Sequence, residues 1–338
     1  MSDIEWTDRT WNPIVGCARV SPGCEHCYAE RFVHRGLSPQ HKGLTVMRNH
    51  GPGWTGEVRL VESALAKPLS WRKPQRVFVN SLSDLWHEGV SNETCAAIFG
   101  VMAATPHITY QVLTKRPERM RAWFSWVADE GDEVLGAVGE EPDGHDGQVA
   151  AACAMYAKEI DCGGVLTRDG FRNATKAAWP LLNVWIGVTA EDQQRADERI
   201  PLLLDTPAAV RFVSYEPALG PIDFRIAAFN GADSIESLEG LHWLIVGGES
   251  GPGARPFDLA WARSAVEQCK AAGVRVFVKQ LGAQPCLGEP EPTGNFRTNP
   301  ETGKREYEYA LPRFVTKHRK GNDPSEWPED LRVREFPR

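Results

Sequence analysis

The sequence contains no apolar run near the roughly 18 residues that a membrane-spanning helix requires. Its first residues, Met1 to Trp6, lack the basic start and the apolar stretch of a secretion signal. We therefore expect a cytoplasmic protein that has no contact with a membrane.

Cysteine is scarce, at eight residues in 338, and this excludes a disulfide-rich secreted scaffold. Basic residues are not in excess either. The 38 Lys and Arg against 45 Asp and Glu give a net charge of −7, which argues against a protein whose whole surface coats nucleic acid. With 42% hydrophobic and 25% charged residues, the composition is that of a globular chain and excludes disordered and collagen-like classes.

Short runs rich in β-branched and aromatic residues are typical of buried strands. They cover residues 76–80, 109–113, 183–188, 210–214, 242–246 and 274–278, and a further strand is predicted at 13–16. Helix-like segments alternate with them: 93–104 capped by Asn92, 117–129, 192–204 headed by Asp192, and one from Asp258 to Gly273. Strands that alternate with helices form a parallel sheet, so the sequence predicts an α/β protein with a complete or partial (β/α) barrel.

The barrel is predicted to span residues 1–282, with an irregular C-terminal extension at 283–338 that packs on it through Trp327 and Phe336. Residues 131–176 interrupt the alternation and are interpreted as an insertion. A long connection of this kind is either a lid over the strand ends or a tolerated surface excursion.

Polar residues follow each predicted strand, at the edge where (β/α) barrels form their active sites. They are Ser81, Ser83 and Asp84; Lys115 and Arg116; Thr189 and Glu191; Glu216; Glu249 and Ser250; and Lys279 and Gln280. Because loops are generally polar, each residue alone is also consistent with helix capping or loop closure. Together, the six strand ends predict a site at this edge.

Cys17, Cys24 and Cys27 form a C-x6-C-x2-C array directly after the first predicted strand. Thiolates bind iron–sulfur clusters and zinc, and a four-iron cluster held by three Cys leaves one iron open to a substrate or cofactor. The alternative is a closed zinc site completed by His26 or His34, in a zinc-stabilised nucleic-acid-binding module without catalysis.

The array belongs to a longer set of motifs. They are Trp6-Thr7-Asp8, WNPIVGC at 11–17, SPGCEHCYAE at 21–30, NSLSDL at 80–85, VLTKRP at 112–117, SYEP at 214–217 and GGESGPGARP at 247–256. Over residues 6 to about 282 the chain resembles a bacterial and phage-associated family of uncharacterised radical SAM-like proteins with a widely spaced three-Cys motif.

This resemblance implies a barrel of the radical SAM type with a [4Fe-4S] cluster on Cys17, Cys24 and Cys27. It implies that the open iron chelates S-adenosylmethionine (SAM), that an electron donor such as flavodoxin or ferredoxin reduces the cluster, and that a 5′-deoxyadenosyl radical results. Radical SAM proteins generally use C-x3-C-x2-C, and this chain has three extra residues before Cys24. A barrel that keeps its cluster as a structural or sensing element is therefore a further alternative.

The resemblance also gives the strand-end residues expected roles. Ser81, Ser83, Asp84, Glu191 and Glu216 are expected to bind the SAM amine and ribose hydroxyls through charge-assisted hydrogen bonds. Lys115, Lys279 and Glu249 are expected to meet the substrate as catalytic residues.

The substrate itself is predicted to be a nucleotide or nucleic acid. The reason is a basic stretch interleaved with aromatic residues, which suits a phosphate backbone and stacked bases. It comprises Arg59, Lys67, Arg72, Lys73 and Arg76 with Trp54 and Trp71.

Overall fold

The computed structural model describes the chain in several ranges, and side chains are described within them except at 130–138, 291–298 and 305–310. The ranges are 4–49, 51–138, 150, 153–157, 170, 173–174, 176–224, 238, 240–288, 291–298, 305–310 and 312–337. Most of the insertion predicted at 131–176 lies outside the described residues.

The described strands and helices alternate through the central part of the chain. The strands are β1 (Arg9–Trp11), β2 (Ile14–Val15), β3 (Thr45–Arg48), β4 (Gly51–Trp54), β5 (Arg59–Leu60), β6 (Gln75–Val79), β7 (Ile108–Thr114), β8 (Val184–Thr189), β9 (Val210–Tyr215), β10 (Trp243–Gly247), β11 (Phe257–Asp258), β12 (Arg275–Gln280), β13 (Pro285–Cys286), β14 (Glu291–Thr298) and β15 (Arg305–Ala310). The helices are α1 (Tyr28–His34), α2 (Glu62–Leu65), α3 (Asn92–Ala103), α4 (Pro117–Val138), α5 (Gln193–Leu204) and α6 (Leu259–Ala272). None of the helices within the described ranges is both long and apolar enough to cross a membrane.

One parallel sheet organises the molecule. Its strand order is β1-β6-β7-β8-β9-β10-β12, which follows the order of the chain. The sheet curls into a half-barrel, with β1 and β12 at its two edges. The architecture is α/β and is consistent with the predicted partial (β/α) barrel.

The two faces of the sheet carry different cores, because successive side chains of a strand point to opposite faces. Aliphatic residues such as Val77 and Val112 pack with the helices into the larger core. On the other face Phe78, Phe212 and Trp243 pack together in a separate, aromatic cluster. These rings lie before the last residue of their strands, so the carboxyl ends are left to polar side chains.

The C-terminal residues cover the free edge at β12. The Val278 amide donates to the Val333 carbonyl and the Glu335 amide donates to the Val276 carbonyl, both at 2.8 Å. Phe336 then packs on Trp243, with ring centroids 5.4 Å apart. A strand edge that is paired in this way does not offer free backbone groups to other chains.

The first strand of the sheet lies earlier than the predicted 13–16. β1 pairs with β6, whereas Ile14 and Val15 pair antiparallel with β5 in a separate ribbon. Pro13 has no backbone N–H to continue the ladder. The chain therefore leaves the sheet at this proline.

The other predicted elements need smaller corrections. The helix predicted at 93–104 is capped by Ser91, whose Oγ accepts from the Thr94 amide, and not by Asn92. The helix predicted at 117–129 continues to Val138. The caps Asp192 and Asp258 are confirmed.

Candidate functional site

Residues 17–27, here called the cysteine loop, lie against the carboxyl ends of the strands. Ser21 Oγ donates to Glu191 Oε1, just beyond β8, at 2.5 Å. Arg255, in the segment after β10, donates to the Pro22 carbonyl at 2.9 Å. Residues from distant parts of the chain thus fix the loop on the sheet edge.

Gly23 allows the cysteine loop to touch Glu191 directly. A Cβ at position 23 would lie 2.4 Å from Glu191 Oε1 and 2.6 Å from its Cγ. Glu191 is fully buried and cannot easily retreat, because Arg199 Nη1 lies 3.0 Å away and Lys115 Nζ 3.7 Å away. Glycine is therefore required here by the close approach.

The three thiols of the loop are free and half-buried. Burial is the main cause that raises the pKa of Cys17 to about 12, and the charge of Asp84 adds to it. Cys24 and Cys27 raise the pKa of Cys17 further, so the three groups lie within electrostatic range of one another. A thiol in the setting of Cys17 becomes a thiolate only when positive charge compensates it.

Arg116 brings positive charge to the first of these thiols. Its Nη1 lies 3.9 Å from Cys17 Sγ and 3.2 Å from Asp84 Oδ2, and its Nη2 donates to the Ala18 carbonyl at 3.2 Å. The guanidinium is 5% exposed. Arg116 therefore ties the start of the cysteine loop to the ends of β6 and β7.

Several residues predicted to bind SAM have protein partners. Ser83 Oγ donates to the Ile14 carbonyl at 2.8 Å, and Ser81 Oγ donates to Asn12 Oδ1 at 3.1 Å. Asp84 accepts from Thr114 Oγ1 (2.7 Å), the Lys115 amide (3.0 Å), the Trp86 amide (3.1 Å) and Arg116. These contacts, like those of Glu191, are the ones expected of residues that close loops. SAM binding by Ser81, Ser83, Asp84 and Glu191 stays a prediction.

Glu216 and Lys279 form a half-buried pair at the ends of β9 and β12. Lys279 Nζ lies 2.7 Å from Glu216 Oε1, and Gln280 Nε2 donates to the same oxygen at 2.9 Å. Each of the two charged side chains keeps 17% exposure. A polar ligand above the strand ends can therefore reach both charges.

Tyr28 faces the same region from the cysteine loop side. Its hydroxyl donates to the Ser81 carbonyl at 2.7 Å. Burial raises the pKa of its phenol, and the charges of Cys27 and Glu216 raise it further, yet 57% of the side chain is exposed. The hydroxyl end of Tyr28 is therefore enclosed at the strand ends, while part of its ring stays accessible.

Glu249 is held by a histidine and an arginine. His26 Nδ1 lies 3.0 Å from its Oε2, and the Arg255 amide donates to the same oxygen at 2.8 Å. Burial opposes ionisation of Glu249, but hydrogen bonds from Arg255 and His26 outweigh it and keep the pKa of this carboxyl below its usual value. Glu249 thereby fastens the segment after β10 to the cysteine loop.

The two histidines considered as a fourth zinc ligand have other partners. His26 contacts Glu249, and His34 Nδ1 lies 3.2 Å from Thr45 Oγ1. Within the described part of the chain, no three His, Cys, Asp or Glu side chains are arranged to hold a single metal ion.

A charged cleft of about 310 Å³ opens beside the cysteine loop. Its lining includes the loop residue Val20 and the strand-end residues Lys115 and Arg116, with Glu88, Glu118, Arg119, Glu198 and Arg199. Lys115 thus lies between Glu191 and this cleft. Its predicted role at the substrate remains a prediction.

The basic and aromatic stretch predicted to bind nucleic acid is only partly accessible. Trp54 is only 5% exposed and cannot stack on a base. Trp71 is partly buried, and the Arg9 guanidinium covers its ring at 4.6 Å. Arg72 and Lys73 precede β6, so they lie at the opposite end of the strands from the cysteine loop. The prediction is therefore wrong for Trp54, whereas nucleic-acid binding by the exposed charged residues, away from the cysteine loop, stays a prediction.

The sequence interpretation missed Tyr28 and Arg255 as site residues. Tyr28 directly follows Cys27, and Arg255 lies six positions after Glu249 in a glycine-rich run. Their closeness to site residues along the chain was the available signal. Their partners Ser81 and Pro22 are remote in sequence, and only the fold brings them together.

A family model described as "Protein of unknown function (DUF5131)" matches residues 1–321. The chain belongs to this family. The matched residues of the DUF5131 protein include the cysteine loop and every strand end described above. Comparisons with curated proteins and with solved structures found no match.

Proposed function

We propose that this DUF5131 protein is a radical SAM-type enzyme that holds a [4Fe-4S] cluster on Cys17, Cys24 and Cys27. The supporting observation is the position of the cysteine loop. Three free thiols of one loop lie at the carboxyl edge of a curled parallel sheet, where the charged strand-end residues gather. Active sites of barrels form at this edge.

The residue types of the donor set fit such a cluster, in which each thiolate would bind a different iron, so the three thiols need not surround a single metal ion. Three thiolates from one loop are the usual ligands of a cluster that keeps one iron open. Arg116, at 3.9 Å from Cys17 Sγ, offsets part of the negative charge that three thiolates bring. When bound, the cluster and SAM together supply a carbon-centred radical that can remove a hydrogen atom from a substrate.

The protein's own residues perform the remaining tasks. Glu191, Arg255 and Arg116 fix the cysteine loop through the contacts described above. Glu216 accepts hydrogen bonds from the SAM amine or ribose, and Lys279 balances its charge at 2.7 Å. Such charge-assisted hydrogen bonds are stronger than neutral ones, so this pair contributes to both affinity and orientation.

SAM cleavage by anaerobically reconstituted protein tests this proposal. We expect 5′-deoxyadenosine to form in the presence of a strong reductant, and to be absent when all three loop cysteines are changed to Ala. Cys95→Ala is the matched control, because Cys95 is buried in α3. A protein that retains its iron but neither binds nor cleaves SAM would refute the enzyme assignment and favour a structural or sensing cluster.

A further inference from the structure

Residues 31–56 contain no Asp or Glu, although the chain as a whole has 45 acidic residues in 338. At that frequency a stretch of this length would hold three or four. The same residues include four cations, Arg31, Arg35, Lys42 and Arg48. A local positive charge thus stands within a protein whose net charge is −7.

This segment folds beside the candidate site. Helix α1 and the β3–β4 hairpin pack together, and residues 28–56 are here called the basic lobe. Tyr28 reaches the carbonyl of Ser81 beyond β6, and Arg31 Nη2 reaches the carbonyl of Pro252 beyond β10 at 3.1 Å. The basic lobe therefore lies beside the carboxyl ends of β6 and β10.

The positive charges of the basic lobe have no acidic partner among the described side chains. Among the described side chains, no carboxylate lies within ion-pair distance of Arg31, Arg35, Lys42 or Arg48. Arg31 and Arg48 donate to backbone carbonyls, which are uncharged acceptors. Arg35, Lys42 and Arg48 are exposed to solvent.

Aromatic side chains accompany these charges. Tyr28 and Phe32 are 57% and 40% exposed. Their spacing of four residues places them on one face of α1, and Arg31 and Arg35 form a second pair at the same spacing. Exposed rings next to unpaired cations are the combination that binds single-stranded nucleic acid, with bases stacked on the rings and phosphates at the cations.

We infer that the basic lobe binds single-stranded nucleic acid and leads it to the strand ends as the substrate. The inference rests on the proposed function for the reaction at the strand ends. A single strand is favoured over a duplex because only unpaired bases present their faces to Tyr28 and Phe32. An acidic protein would also be attracted to the charges, but it has no bases to stack on the rings.

Fluorescence anisotropy with a labelled oligothymidylate of about 20 nucleotides, longer than most single-strand sites, tests the inference. We expect the double variant Arg35→Glu, Lys42→Glu to weaken binding about ten-fold or more and to lower the salt slope by about 0.7 for each lost phosphate contact. The matched control is Arg72→Glu, Lys73→Glu. It makes the same charge change at exposed positions near the opposite end of the strands, and we expect it to leave binding unchanged.

A second variant separates base stacking from charge. Phe32→Ala should weaken binding of the oligothymidylate about five-fold or more, the low end of a lost base stack, and should leave binding of inorganic polyphosphate unchanged. Three results would overturn the inference. They are an equal loss of binding in both double variants, no binding at low salt, and competition by polyglutamate as strong as that by unlabelled oligonucleotide. The last result would favour an acidic protein partner. The binding measurements use iron-free protein, so a failure to bind nucleic acid is distinguished from a failure to form the cluster.

Discussion

Replacing Gly23 by Ala tests whether the cysteine loop is held on Glu191. The added Cβ would lie 2.4 Å from Glu191 Oε1 and 2.8 Å from its Cδ, well inside contact distance. Glu191 is fixed by Arg199 at 3.0 Å, so the loop is the part that must move. We therefore expect Cys24, the next residue, to be displaced.

The magnitude follows from the cost of inserting a methyl group into a packed contact, about 1 to 3 kcal/mol. For a chain of 338 residues that unfolds cooperatively, this corresponds to a fall in Tm of about 1 to 4 °C. The protein should remain folded, while anaerobic reconstitution should recover less iron per chain than the wild type.

Gly220→Ala is the matched control, because its added Cβ would meet only the Asp192 Cβ at 3.9 Å. Thermal unfolding of the iron-free proteins and iron content after reconstitution are the two measurements. If Gly23→Ala reached the wild-type iron content and the wild-type Tm, the proposed contact between the cysteine loop and Glu191 would be refuted.

Three further predictions follow from the described contacts. Glu216→Gln should weaken SAM binding about ten-fold or more, because a hydrogen bond to a charged group is lost, and should leave the iron content unchanged. An unaltered SAM affinity in calorimetry would show that Glu216 does not belong to the SAM site. Asp84→Asn should lower the free energy of unfolding by about 2 kcal/mol in urea titrations, because the buried Arg116 then keeps only the solvent-exposed Glu88 as a charge partner; a wild-type value would contradict this role. Burial lowers the pKa of His41, so folding favours its neutral form. The free energy of unfolding should therefore be highest above the pKa of the unfolded state, near 6.5, and should fall as the pH drops through that value. An equal fall in His41→Leu would show that other groups cause the loss.

The sequence predicts most of the sheet because its central strands are buried on both faces. Runs such as 210–214 and 274–278 are rich in β-branched and aromatic residues throughout, and this local signal is strong. β1 was missed because it has three residues, Arg9 to Trp11, two of them polar, and its place depends on pairing with residues 77–79. Such a pairing is non-local and leaves little trace in a single sequence.

The candidate site was predictable in position more than in detail. Parallel topology brings the strand ends to one edge, so Glu191, Glu216 and Glu249 were expected near each other. Which carboxylate is occupied by protein partners depends on distant residues such as Ser21 and Arg255, and local patterns do not contain this information. The burial of Trp54 likewise results from the packing of β4 on α1.

The metal content of anaerobically purified protein tests the central claim most directly. We predict about four iron atoms with matching sulfide per chain, as in cubane clusters with three Cys ligands, and loss of both in Cys17→Ala, Cys24→Ala and Cys27→Ala. Cys95→Ala and Cys269→Ala, at fully buried helix positions, should retain them. Stoichiometric zinc without iron would contradict the account and favour the zinc-stabilised binding module.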